Sequence, residues 1–160
     1  MLPLVIAPQP ILRTKTKELA VPLSPTEEKF SQEMFLAMAN YKGIGLAAPQ
    51  VGQDKRLIVI NTSGQPTAYF NPEIIKVTWR KVVMEEGCLS LPGVWGQVKR
   101  PQGVLAAYLT ARGERRQEWL DGLLARVYQH EVDHLNGILF IDLTDDFTKG
   151  SELVANYGKR

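Results

Sequence analysis

The chemistry-bearing residues of this chain fall in two short stretches. Both histidines lie in one pentapeptide, His130-Glu131-Val132-Asp133-His134, and the single cysteine stands in Glu86-Gly87-Cys88-Leu89-Ser90. On a helix, the i to i+4 spacing puts His130 and His134 on one face, a turn apart, where two imidazoles can reach one metal ion. Glu131 is rotated from them, which suits a carboxylate beside the ion rather than on it. The counts bound the site. One Cys and two His exclude zinc centres of four cysteines, of three cysteines and a histidine, or of two of each, and exclude an intramolecular disulfide. A nitrogen and sulfur site can hold at most two imidazoles and one thiolate.

A third ligand is needed. His-Glu-x-x-His is the zincin peptidase signature, so a metallopeptidase is one reading. His134-Leu135-Asn136-Gly137 continues the metzincin pattern, which then needs a histidine at 140, where this chain has Phe140. The alternative of a downstream glutamate leaves Glu152, in a polar tail. Cys88 is the stronger candidate, on a turn between a strand and Leu91-Pro92-Gly93. Its thiolate is a strong ligand for first-row metals, and a bound metal keeps it deprotonated.

These residues need a frame. The chain has 160 residues, 44% hydrophobic and 22% charged, the size and balance of one α+β domain spanning 1–160 with its own core. Its net charge of +2 gives no argument for nucleic acid or membrane binding. The apolar start, Met1 to Pro10, lacks a basic leader and carries three prolines, so it reads as an extended segment rather than a signal peptide. Ser24-Pro25-Thr26-Glu27 reads as a capping box opening a helix from about Pro25 to Asn40, stopped by Gly43, with Phe30, Met34, Phe35 and Met38 as core. Gly43 to Gln50 reads as a loop. Arg56–Ile60, a stretch from Glu73 to Val83, Val104–Thr110 and Arg116–Leu120 read as strands. The last helix runs from about Asp121 to Asn136, closed by Gly137, and a short strand follows at Ile138–Ile141. On that helix Leu123, Leu124, Val127, Tyr128, Val132 and Leu135 form the apolar half. His130 and His134 sit at its margin, and Arg126, Gln129 and Asp133 on the polar side. Trp79, Trp95 and Trp119 read as packing residues, with Trp95 in the loop after Cys88. Arg13, Lys15 and Lys17 read as a solvated face. A pair between Arg100 and Asp133 could tie the Cys88 region to the helix, and Glu86 could orient the turn by accepting backbone N–H groups.

Three motifs, Gly43-Ile44-Gly45-Leu46-Ala47-Ala48-Pro49-Gln50, Glu86-Gly87-Cys88-Leu89-Ser90 and Gln129-His130-Glu131-Val132-Asp133-His134-Leu135-Asn136-Gly137, stand in one order. In this the sequence resembles the peptide deformylase family. The resemblance implies antiparallel sheets packed around a central metal-binding helix. It implies hydrolysis of the formamide on N-formylmethionyl peptides, the ends of newly made polypeptides. One divalent ion, ferrous in the cell with zinc, nickel or cobalt as substitutes, would be held by Cys88, His130 and His134. Glu131 would be the general base. The Gln50 amide and the Leu89 backbone N–H would stabilise the oxyanion. Gly45 would pair with the peptide as an added strand, and Ile44, Leu123 and Val127 would line the methionine pocket. The family setting further implies the ribosome as a transient partner, no direct nucleic-acid or membrane contact, a monomer, and a cytoplasmic location. A non-catalytic binding relative is the remaining alternative, but such a protein usually lacks the base or a ligand, and this chain keeps both.

Overall fold

The computed structural model describes residues 2–160. Its frame is a five-stranded antiparallel sheet in the order β1-β2-β3-β6-β7 and a three-stranded antiparallel sheet in the order β4-β5-β8. The strands are β1 (Gly45–Ala47), β2 (Leu57–Ile60), β3 (Thr67–Val77), β4 (Lys81–Gly87), β5 (Trp95–Pro101), β6 (Gly103–Leu109), β7 (Arg115–Asp121) and β8 (Phe147–Lys149). Two helices, α1 (Pro25–Asn40) and α2 (Gly122–Leu135), complete it. The α+β expectation holds.

The large sheet is covered on both faces at β2, while β7 is mostly exposed. Leu57-Ile58-Val59-Ile60 is buried throughout. Successive side chains of a strand point to opposite faces. Leu57 and Val59 pack with Met34, Ala37 and Met38 of α1. Ile58 and Ile60 pack with Ala125, Tyr128, Val132 and Leu135 of α2. A third core gathers Leu91, Val94, Val98, Leu139, Phe140, Ile141 and Val154 beneath the small sheet. The N-terminal segment is not extended throughout: it turns at Ala7-Pro8 and enters a 3-10 turn over Pro10–Arg13. It crosses the other elements, with the Val5 N–H donating to the Gln50 carbonyl and the Ala7 N–H to the Ser90 carbonyl.

Several local expectations are corrected. The stretch from Glu73 to Val83 is two strands in different sheets. The chain leaves the large sheet at Thr78-Trp79-Arg80, where the Thr78 N–H donates to the Gly103 carbonyl and the Gln102 N–H to the Arg80 carbonyl. No Gly or Pro marks that break. Ile138–Ile141 is not a strand: Phe140–Asp142 is a 3-10 turn, because the Asp142 carboxylate accepts the Leu139 N–H and residues 139–141 are all buried. The capping box at α1 does not form. Ser24 makes no side-chain cap bond, and Glu27 accepts from the Lys55 ammonium instead. Gly43 to Gln50 is not a loop throughout but contains β1 and a 3-10 turn over Ala48–Val51. Trp95 begins β5. The tryptophans do not pack inside: Trp79 is 93% exposed, Trp119 56% and Trp95 44%. Arg13 is not solvated, since it pairs with Asp142 and donates to the Gly158 carbonyl.

Candidate metal centre

The site lies between α2 and the end of β4. Cys88 follows β4 directly, at a turn closed by the Leu91 N–H donating to the Cys88 carbonyl. His130 and His134 project from α2. One ligand atom from each of Cys88, His130 and His134 lies within 4.8 Å of the others. The Cys88 sulfur is 3.2 Å from His134 Nε2.

This donor set fits one small divalent ion. The His130 Nδ1–H is 2.9 Å from Glu86 Oε2, which leaves Nε2 free as the ligand atom. A carboxylate on the far nitrogen is the usual means of fixing a metal-binding imidazole. Burial, then the charge on the neighbouring His130 ring, favours neutral His134, the form that can ligate. Burial also disfavours charge on His130, but hydrogen bonds with Cys88 and Glu86 outweigh it and hold its pKa well above the usual value. An ion must displace that proton, so metal binding competes with acid. Three protein ligands leave a coordination position open, the arrangement of a catalytic centre rather than a structural one.

The support beneath the ligands centres on Glu86. Its Oε1 accepts from Arg100 Nε at 2.6 Å and Arg126 Nη1 at 2.8 Å. Its Oε2 accepts from Arg100 Nη2 at 3.0 Å and His130. Burial alone would raise this carboxyl, but the hydrogen bonds and charges of His130 and Arg100 hold it far below the ordinary range. The expectation that Glu86 accepts backbone N–H groups is therefore corrected: its partners are side chains. The Arg100–Asp133 pair forms as expected, at 2.7 Å.

Glu131 is buried beside the ligands, and its Oε2 has no hydrogen-bond partner among the described residues. Burial pushes its carboxyl up to about 7, against the charge of His130, which lowers it. Gly45 is needed at this point. A Cβ there would collide with Glu131 Oε1 and come within 2.7 Å of Val127 Cγ1. Gln50 is also buried. Its Oε1 accepts the Ala47 N–H at 2.8 Å, which fixes the amide so that Nε2 faces Ser90 Oγ at 3.3 Å and the Cys88 sulfur at 3.5 Å.

A cleft of about 530 Å³ opens onto these groups, and Ile44, Gly45, Leu89, Leu123 and Val127 line it. Gln50, Cys88, His130 and Glu131 line the same cleft, and His134 lies beside Cys88 and His130. The helical wheel is corrected at Arg126 and Gln129, both buried, because α2 lies between two sheets and has no solvent face at those positions. Arg126 was missed as part of the site. Its signal was its position four residues before His130, on the same helical face.

The fold and site define a metal-dependent hydrolase whose ion would be held by one thiolate and two imidazoles. Residues 1–150 match the family model described as polypeptide deformylase. A peptide deformylase of Desulforudis audaxviator is 40% identical over 146 residues, covering 91% of this chain and 94% of that one. The crystal structure of peptide deformylase from Thermotoga maritima superposes with a TM-score of 0.87 at 38% identity, over 91% of this chain and 98% of that one. That of a Synechococcus elongatus peptide deformylase in complex with actinonin gives 0.88 at 35% identity, over 98% and 85%. The chain belongs to the peptide deformylase family, and its activity is the metal-dependent removal of an N-formyl group.

Proposed function

We propose that the substrates are N-formylmethionyl peptides and that the residues of the cleft divide the reaction as follows. Cys88, His130 and His134 would hold a divalent ion, ferrous in the cell, which supplies a Lewis acid and brings the pKa of a water towards neutrality. Glu131, unpartnered at Oε2, takes a proton from the attacking water and returns it to the departing amine nitrogen. The Gln50 Nε2–H and the Leu89 backbone N–H stabilise the oxyanion that develops on the formyl oxygen. β1 is an edge strand, pairing among the described residues only with β2, so its other edge is available to an extended peptide along the cleft. Gly45 permits that approach, while Ile44, Leu123 and Val127 offer the apolar wall for a methionine side chain. Work on chains as they are made would place the protein beside the ribosome in the cytoplasm, acting as a monomer. No described helix is long and apolar enough to cross a membrane.

The observation that carries this reading is the convergence of the three ligand atoms next to a buried carboxylate with a free oxygen. The zincin alternative loses its next ligand position to Phe140, which is buried and stacks on His130 at 6.2 Å between ring centroids. The test is a formylmethionyl peptide offered beside its unblocked counterpart. Release of formate from the first with both chains left intact supports the proposal. Cleavage of an internal peptide bond would overturn it in favour of a peptidase.

A further inference from the structure

Arg126 is a buried guanidinium one turn before His130, and the residue is among those lining the cleft. It makes three bonds across to the small sheet. Nη1 donates to Glu86 Oε1 at 2.8 Å and to the Val98 carbonyl at 2.8 Å, and Nη2 donates to the Val82 carbonyl at 2.6 Å. Arg100 makes the opposite crossing, from β5 of the small sheet to Asp133 of α2. Between them Glu86 receives four donors, two on each oxygen. A carboxylate offers about four acceptor directions. All four are filled, so its plane has no freedom to rotate, and one of the four is His130.

We propose that Arg126 is a positioning residue for the metal centre. It acts through Glu86 to set the His130 ring, and through Val82 and Val98 to set the distance between α2 and the strand that leads to Cys88. Without Arg126, Oε1 keeps a single donor and Glu86 can turn, carrying the imidazole with it. The ligands come from two separately packed elements, α2 and the end of β4, so the same loss loosens their spacing. The inference rests on the reading of Cys88, His130 and His134 as the ligands.

The test is metal affinity, measured without turnover. Arg126→Met keeps an apolar stem against the cleft and removes all three donors. Zinc affinity by chelator competition should weaken by about 10-fold, the lower end of the range for losing the partner behind a metal-bound histidine, because Arg126 acts one bond further out through Glu86. The visible spectrum of the cobalt-loaded protein should change with it. Arg126→Lys, which keeps the charge and can still reach one acceptor, should fall between Met and wild type. In a Glu86→Gln background, Arg126→Met should cost markedly less affinity than in wild type, because the shared route is already cut. Should Arg126→Met fail to fold, the lysine variant alone decides, an unaltered zinc affinity and cobalt spectrum overturning the proposal. A merely structural arginine predicts a lower Tm with zinc affinity and cobalt spectrum unchanged, and that result overturns the proposal. A wild-type protein that binds no zinc or cobalt overturns the ligand assignment and this inference together.

Discussion

Glu131 shows how the sequence makes one side chain reactive. Its carboxyl lies against Gly45, has no partner at Oε2 among the described residues, and is pushed up to about 7 by burial. A base must be deprotonated to act, so a raised pKa moves the loss of activity on acidification to higher pH. A cation bound nearby draws it back down. The acid limb of kcat/KM should therefore fall between the ordinary glutamate value of 4.5 and about 7. A limb at or below 4.5 contradicts the assignment. Glu131→Gln should keep its ion, shown by metal analysis, and lose roughly 100- to 10,000-fold in kcat. Retained turnover places the base elsewhere. Gly45→Ala drives a methyl group into Glu131 and Val127. It should abolish formate release while the far core of α1 still folds; wild-type kcat in that variant contradicts the close approach.

The elements explain which features were legible beforehand. α2 was readable to within a residue at each end because Gly137 closes it with φ of +71° and its apolar spacing is regular. β2 was readable as an unbroken apolar run. The cluster of Cys88, His130 and His134 was readable because few residue types can hold a metal and this chain has so few of them. The split of β3 from β4 was hidden, since Thr78-Trp79-Arg80 carries no turn residue and long-range backbone pairing decides it. Arg126 was hidden because a wheel assigns arginine to solvent, whereas a second sheet covers that face. Glu86 joins the two layers, so Glu86→Gln should destabilise the fold by about 3–5 kcal/mol, the range for breaking a buried ion pair, read from denaturant midpoints. Its native carboxyl ionises far below the unfolded value, so the unfolded chain takes up the proton first. That contribution is full above the ordinary value of 4.5 and drains as the pH falls through and below it, and the Gln variant should lack it. Equal pH dependence in both proteins contradicts a structural role for the charge.

Across the whole molecule an ion held by Cys88, His130 and His134 would be a cross-link between layers. Cys88 packs against the third core beneath the small sheet, while the helix carrying the histidines packs with Ile58, Ile60 and Tyr69 of the large sheet. A ligand bound only by the native state stabilises it by mass action. A chelator should therefore lower Tm, and stoichiometric zinc should restore it; an unchanged Tm contradicts the cross-link. The most direct measurement is X-ray absorption at the zinc edge of the zinc-loaded protein, compared with Cys88→Ser. The account predicts one sulfur at about 2.3 Å and two imidazole nitrogens at about 2.0–2.1 Å, the sulfur lost in the serine variant. A shell of nitrogen and oxygen alone in the wild-type protein would contradict it.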